Sequence, residues 1–434
     1  MMPLPLCTRA TMVLFIVLTS QVLVAAMAAT PATKGGVLVM GATGYIGKAV
    51  VQQLVSRGLP VTAFVQQRQQ GGPARALDEL SGAKIFNGNV CDASDVRAAM
   101  QGCDSVISCI SSRSGSRKEV WEIDYGASKT ALDVLEEQGG KSYVLLSAIC
   151  VKTPELELHR AKLKMEEDLK ASSIEHAVSV RPSAYFKSVA AQVPTVVSGQ
   201  PYILFGDGTH TRSNPIGQND LAARLVDSLD ASASEFAGSS SYHVIEIGGA
   251  ADPLTPRQQS EIIFELAGRG TAEHVSVPLV WLDRIVNALD ASARALPFET
   301  LAEAAESARI ARFYATEDML GPSDPRYAAE RLVDFYEERV SEERAKLVAA
   351  KAGATDDDLG LPATSKIAGA LLRFVEGFRG RGDGGLPAPA VLCAAGVVAV
   401  VSAFQTGLAP APAPLARTGL LLAESAEHFH RVIS

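Results

Sequence analysis

The chain of 434 residues has only six cysteines: Cys7, Cys91, Cys103, Cys109, Cys150 and Cys393. None stands in a Cys-X-X-Cys pair or at ligand spacing from a histidine, which excludes a disulfide scaffold and a structural metal centre. The thiols are expected to be small buried hydrophobes in a reducing compartment, with no metal site. Positive charge is not in excess either. The formal net charge is −8, whereas a nucleic-acid partner would call for a basic patch, so none is expected. No internal repeat is visible. What remains is a globular composition, 47% hydrophobic and 20% charged, in a chain long enough for one large α/β domain with appendages.

The most informative stretch is Val37 to Arg57, VLVMGATGYIGKAVVQQLVSR. Four apolar residues read as a buried parallel strand, three glycines as a tight turn, and the amphipathic run Tyr45 to Val55 as a helix. Strand, glycine turn and helix together bring backbone N–H groups and a helix N-terminus against a pyrophosphate. Gly41 permits the sharp turn, Gly44 lets the backbone approach the phosphates, and Gly47 lets the helix pack on the strand; Thr43, Tyr45 and Ile46 complete the loop. The spacing GxxGxxG, in place of GxGxxG, resembles the short-chain dehydrogenase superfamily in its extended or atypical branches.

Alternation of strand and helix continues downstream. Val61–Val65, Lys84–Phe86, Ser105–Ile110, Tyr143–Ser147 and His176–Val180 read as further strands with helical runs between them. The expected fold class is therefore α/β, a doubly wound parallel Rossmann sheet over residues 36–182, with ligands at the carboxyl ends of its strands. Residues 183–340 mix short strands (Tyr202–Phe205, Tyr242–Ile247) with helices (Thr255–Ala267, Leu301–Tyr314) and read as a smaller substrate-binding part.

Both ends lie outside this pattern. Residues 1–35 carry Arg9, an apolar run from Met12 to Ala28 and the small-residue triplet Ala26-Met27-Ala28, which reads as a targeting, signal-like segment or as a membrane anchor. A plastid reached through the secretory route reconciles such a leader with free thiols. Residues 341–434 form a charged, then Gly- and Pro-rich linker and a hydrophobic extension, with a basic amphipathic piece at Lys366–Arg379. The apolar core of the extension, Ala390 to Phe404, is short for a membrane span of about 20 residues; a membrane pass, a surface anchor and a plain hydrophobic tail all stay open.

The stretch VTAFVQQRQQ at the end of the second strand lacks the carboxylate that binds a ribose 2′-OH and offers Arg68 for a 2′-phosphate, which favours NADPH. Asn89 and Asp92 follow the third strand, where adenine contacts are expected. Ser108 to Ile110 should line the nicotinamide side. Reduction of a carbonyl on this scaffold needs a Tyr four residues before a helix Lys, so that the phenol can protonate the developing alkoxide. Lys162 is the helix lysine, but Leu158 stands four before it; for Lys164 the partner would be Arg160. The companion Ser/Thr position holds Ala148, beside Ser147. The ordinary ketone-reducing apparatus is thus absent. The chain either reduces something other than a carbonyl or binds the nucleotide without turnover.

Three long stretches carry a more specific resemblance: LLSAICVKTPELELHRAKLKMEEDL, VRPSAYFKSVAAQVPTVVSGQPYILFGDG and ARFYATEDML. With the Trp121–Tyr125 segment WEIDY and the stretch Pro215 to Ala222, they resemble the NADPH-dependent divinyl chlorophyllide a 8-vinyl-reductases of chlorophyll synthesis, an atypical short-chain dehydrogenase family. The resemblance runs from about Gly36 to about Val340. It departs at Gln66, where the family tends to have Arg, and at Asn89, where it tends to have Asp.

The resemblance implies reduction of a conjugated vinyl group on a tetrapyrrole in the plastid, a reaction that forms no alkoxide. Lys162 is then expected at catalysis and the nicotinamide ribose, the other reading being an exposed helix lysine. With Arg68 (or a solvated loop residue), Asn89 and Ser108 from the strand ends, Ser147 and Pro182 go to the cofactor. Tyr185, Phe186 and Lys187 go to the substrate, the other reading being core packing for the two aromatics and a surface position for the lysine. Lys187 would meet a pigment carboxylate, Val193–Val197 with Tyr202–Phe205 would wall an apolar slot, and His159 would either approach the pigment's magnesium or cap its helix. The hydrophobic ends suit association with thylakoid or envelope membranes. The alternatives are a non-catalytic NADP(H)-binding relative acting as a redox sensor or complex subunit, and a reductase of quinone or phenylpropanoid double bonds.

Overall fold

The computed structural model describes residues 35–66, 78–113, 115–236, 240–295 and 299–351. Arg68, the leader through residue 34, the basic piece Lys366–Arg379 and the apolar run Ala390–Phe404 lie outside the described residues.

The first strand, β1 (Gly36–Met40), is buried throughout because it lies in the middle of a parallel sheet covered on both faces. Its side chains alternate between two cores. Val37 and Val39 join Val50, Leu54 and Leu225 on one face, while Leu38 and Met40 join Phe64, Val96 and Leu132 on the other. Around it run α1 (Tyr45–Ser56), β2 (Val61–Gln66), β3 (Lys84–Gly88), α2 (Ala93–Ala99), β4 (Cys103–Ser108), α3 (Ser128–Glu137), β5 (Ser142–Leu146), α4 (Glu157–Ala171) and β6 (His176–Pro182). The helical stretch leading into α3 contains a π-helical segment, Val120–Ala127, so that the WEIDY residues are wound more widely than an α-helix allows.

After β6 come β7 (Tyr202–Phe205), α5 (Gln218–Asp227), β8 (Tyr242–Ile247), α6 (Pro256–Leu266), β9 (His274–Val277), α7 (Leu279–Ala295), α8 (Glu299–Thr316) and α9 (Leu332–Lys351). The main sheet has the order β3-β2-β1-β4-β5-β6-β8, all parallel, and β7 pairs with β9 in a separate two-stranded ribbon. The order reverses between β1 and β4, and that switch point opens a crevice at the carboxyl ends of the strands. Tyr242–Ile247 therefore sits in the main sheet beside β6, not among the pieces of the smaller part as its place in the chain suggests. Its register against Ala177–Pro182 extends the sheet by one edge strand.

Three apolar clusters stand apart from the two sheet cores. One joins β7, α6 and α9 through Leu204, Phe264 and Tyr336. Another closes the α7–α8 pair through Leu282, Ile285, Leu289, Ala305 and Ala308. The third packs Phe313 of α8 and Met319 onto Ile149, Cys150 and Leu156, next to the end of β5. Polar ties reinforce that last junction: Glu306 accepts from the Glu157 N–H at 2.8 Å, and Arg312 pairs with Glu155 at 3.4 Å. The α7–α8 pair is thereby fixed at the mouth of the crevice.

Candidate active site

The crevice is a cleft of about 780 Å³, within the size range of small-molecule sites. One end is the glycine turn. Gly41 has φ +76°, which only glycine adopts at little cost, and a side chain there would strike the Cys109 carbonyl at 2.7 Å. A Cβ on Gly47 would lie 2.1 Å from the Gly41 carbonyl oxygen, so α1 presses directly on the turn. Gly44 is the N-cap of α1, brings no capping side chain, and no acidic residue stands in the first turn. The first amide groups of the helix thus face the cleft without an internal partner. That is a cradle for a phosphate, and its backbone suits the dinucleotide pyrophosphate. Thr43, Tyr45 and Ile46 line the cleft beside it.

At the end of β2, Gln66 stands where a ribose-binding carboxylate would be. Its side chain accepts from the Val90 N–H at 3.2 Å and joins the β2 and β3 ends. Asn89 is exposed and accepts from the Cys91 N–H at 3.1 Å, outside the cleft lining. Asp92 is the N-cap of α2, accepting from the Ser94 N–H at 2.8 Å. Neither side chain is brought to the site.

The nicotinamide side differs from expectation in one residue. Ser108 is the last residue of β4, fully buried and hydrogen-bonded to Ser128 at 3.1 Å under the sheet. Strand alternation turns it inward, and the cleft is lined instead by Cys109 to Ser112, just past the strand end. Burial pushes the thiols of Cys109 and Cys150 up to about 12, so both stay protonated and unreactive. The Ser112 hydroxyl is buried with no hydrogen-bond partner among the described residues.

Lys162 is buried, with 7% of its surface exposed, and lines the cleft. Its ammonium donates to the Leu146 carbonyl at 3.1 Å and lies 3.4 Å from Asp124 Oδ1. Asp124 itself accepts from the Ser112 N–H at 2.8 Å through its other oxygen. The π-helical turn directs this carboxylate inward, and the buried pair fixes the lysine at the site. Leu158, one turn earlier on α4, also lines the cleft, so an apolar side chain occupies the phenol's position. Ser147 lines the same wall and is anchored on Glu166, which in turn holds Arg181 through its Nε at 3.0 Å. Pro182 closes the end of β6.

The far wall holds Tyr185, whose ring lies 6.3 Å from that of Tyr45, and Lys187, whose ammonium lies 5.4 Å from the Tyr45 ring centre. Burial raises the Tyr185 phenol, and burial with neighbouring Arg339 and Lys48 lowers the Lys187 ammonium. Phe186 does not face the cleft. The short helix Phe186–Val189 turns it into the core against Phe335, with ring centres 5.7 Å apart. Val193 and Val196 likewise lie in that core, and of the supposed apolar wall only Tyr202 reaches the cleft. His159 is fully buried, its Nδ1 3.2 Å from the Thr153 carbonyl and its ring 4.6 Å from that of Phe313. Burial holds it neutral, with a pKa near 4; it caps α4 and does not reach the cleft. Two functional candidates escaped the sequence reading: Asp124, in WEIDY, and Tyr314, in ARFYATEDML, which α8 brings into the cleft. Both lay inside the quoted motifs, and only their residue types marked them.

A phosphate cradle at the switch point of a doubly wound sheet, beside a buried helix lysine, defines a nicotinamide-dinucleotide-binding oxidoreductase of short-chain dehydrogenase type. The family model described as NAD(P)H-binding matches residues 41–232. Divinyl chlorophyllide a 8-vinyl-reductase, chloroplastic, of Arabidopsis thaliana is 36% identical over 340 residues, covering 75% of this chain and 79% of that protein. Its counterpart of the same name in Zea mays is 37% identical over 321 residues, 71% of this chain and 78% of that one. A solved nucleoside-diphosphate-sugar epimerase from Staphylococcus aureus shares the fold at TM-score 0.51 and 15% identity, over 70% of this chain and 99% of its own. The chain belongs to the divinyl chlorophyllide a 8-vinyl-reductase family.

Proposed function

We propose that this cleft reduces the 8-vinyl group of divinyl chlorophyllide a, or of a close tetrapyrrole, to ethyl with NADPH, in plastid chlorophyll synthesis. The observation that carries the reading is Leu158 in the cleft one turn before the buried Lys162. The site keeps the lysine of a reductase and has no phenol at the position that serves a carbonyl. NADPH supplies the hydride when bound. An 8-vinyl group is conjugated with its macrocycle, so the terminal carbon can accept that hydride while the negative charge spreads into the ring. No alkoxide forms, and no acid beside an oxygen is needed.

The residues divide the work. Gly41, Thr43, Gly44, Tyr45 and Ile46 hold the pyrophosphate through backbone amides, with Gly47 keeping the helix close behind them. Lys162, pinned by Asp124, orients the nicotinamide ribose and supplies positive charge near the reacting carbon. Ser147 and Pro182 bound the nicotinamide, Tyr185 separates it from the pigment, and Lys187 meets a carboxylate of the free-acid pigment. Arg68 belongs to the 2′-phosphate in this reading. The protein works at thylakoid or envelope membranes, to which its apolar terminal segments tie it.

The deciding assay is anaerobic incubation of the purified chain with NADPH and divinyl chlorophyllide a, with pigments separated by chromatography. Monovinyl product is expected. Binding of NADPH without conversion would favour the redox-sensor or subunit reading, and turnover confined to small soluble enones would favour the quinone-type reading. Lys162→Met should lower kcat/KM by at least about 100-fold through lost transition-state positioning.

A further inference from the structure

The vinyl reduction needs a proton at carbon, and the helix phenol that donates to oxygen in carbonyl reductases is missing. We infer that Tyr314, brought from α8 into the cleft, is the proton donor. This rests on the vinyl-reductase reading and adds the residue that completes it.

Tyr314 lines the cleft shared by Lys162, Leu158 and Tyr185. Its ring packs edge-on against Phe313 at 5.4 Å and 87°, and Phe313 is buried in the cluster with Ile149, Cys150 and Leu156. The phenol is therefore held against the turn that follows β5, with its hydroxyl beside the Cys150 thiol. Cys150 in turn feels the charge of the Lys162 ammonium. Lysine, thiol and phenol all line the one cleft at the carboxyl end of the sheet. Of the other phenols lining the cleft, Tyr45 and Tyr185 lie together at the glycine turn, on the side that holds the cofactor, and Tyr202 is packed into the cluster of β7 and α6. Tyr314 comes from outside the nucleotide-binding sheet, the side left for the substrate. Burial keeps its hydroxyl protonated at neutral pH, so the proton is present when needed.

The step balances simply. The hydride adds one hydrogen and two electrons to the terminal vinyl carbon, and the former π pair moves into the macrocycle. The Tyr314 O–H bond then breaks, a C–H bond forms at the inner carbon, and the phenolate recovers its proton from water.

The test uses the full chain. The parent must first convert divinyl pigment to monovinyl product; a parent that binds NADPH but leaves the pigment unreduced overturns the reductase reading and this inference together. With an active parent, Tyr314→Phe is expected to lose on the order of 10²–10⁴-fold in kcat. Pigment affinity without NADPH, followed by the pigment's visible absorption, should stay within about threefold of the parent, because only the hydroxyl is removed. A variant with parental kcat, or one whose loss lies wholly in pigment affinity, overturns the assignment and leaves the reductase reading standing. Should the phenylalanine variant fail to fold, 3-fluorotyrosine at position 314 keeps the packing and makes the phenol more acidic. A raised kcat supports proton donation, and an unchanged kcat overturns it.

Discussion

Lys162 and Asp124 are an ion pair taken almost entirely out of water, with side chains 8% and 0% exposed. Removing one partner of such a pair leaves the other charge stranded, which costs more than the pair itself contributes. Asp124→Asn should lower unfolding free energy by about 3 kcal/mol in urea melts at neutral pH. The double variant with Lys162→Met should lose less than the two single losses summed, because the stranded charge is gone. A cost below about 1 kcal/mol for Asp124→Asn would mean that water reaches the pair. His159 makes a separate prediction. Its folded pKa, near 4, lies below the ordinary 6.5, so the unfolded chain binds the extra proton first. Its contribution to stability is full above about pH 6.5 and is lost as pH falls toward 4, with a slope approaching 1.4 kcal/mol per pH unit, roughly. Burial also depresses His176 and His274, which steepen the same limb. Denaturant midpoints for His159→Gln should flatten that acid limb relative to the parent. At this scale the sequence marked Lys162, Tyr185 and Lys187 through motif and position. It could not separate Ser108 from Cys109, since one residue along a strand end reverses the facing of a side chain.

The element that binds the cofactor is the glycine turn with α1, and its tolerances are steric. A methyl group at Gly47 would lie 2.1 Å from a backbone oxygen that cannot move without shifting β1 or α1. Gly47→Ala should cost on the order of 1–3 kcal/mol and weaken NADPH binding, read by quenching of NADPH fluorescence. Gly44→Ala meets only one atom, the Gly41 carbonyl oxygen at 3.1 Å, and should cost less stability than Gly47→Ala. These effects were legible in the sequence because turn, helix start and helix packing are local. The π-helical turn at Val120–Ala127 was not legible. It inserts a wider winding into an ordinary amphipathic run, and its reward is a long-range contact, Asp124 with Lys162. The place of Tyr242–Ile247 was equally hidden, since an alternating strand can join whichever free sheet edge lies beside it.

For the molecule as a whole, α9 closes the C-terminal side of the described residues. Leu332, Tyr336 and Val340 are buried against the cluster of β7 and α6, and Glu343 is buried between Arg339 and Lys346. A chain ending at residue 331 exposes that cluster, with a cost of roughly 1.5–3 kcal/mol for each large side chain, and should melt well below the parent in calorimetry. A chain ending at 351 keeps α9 and should retain both its melting temperature and NADPH affinity. If the extension ties the protein to membranes, this shorter chain should stay in the supernatant of a flotation assay in which the full chain moves with vesicles. Among the described residues no helix is long and apolar enough to cross a bilayer, so the readout falls on the terminal segments.

The sequence by itself determined the parallel sheet, the glycine turn that cradles a phosphate, and the absence of the carbonyl-reducing tyrosine. Each is written in spacing along a few consecutive residues. Only the tertiary structure decided that Asp124 pairs with Lys162, that Phe186 and His159 turn into the core, and that a phenol arrives from α8. Those outcomes join residues 38 positions apart, for Asp124 and Lys162, to 164 apart, for Cys150 and Tyr314. Their causes are the packing of α8 against the end of β5, of the π-helical turn against α4, and of α9 against the helix Phe186–Val189, which no local pattern records.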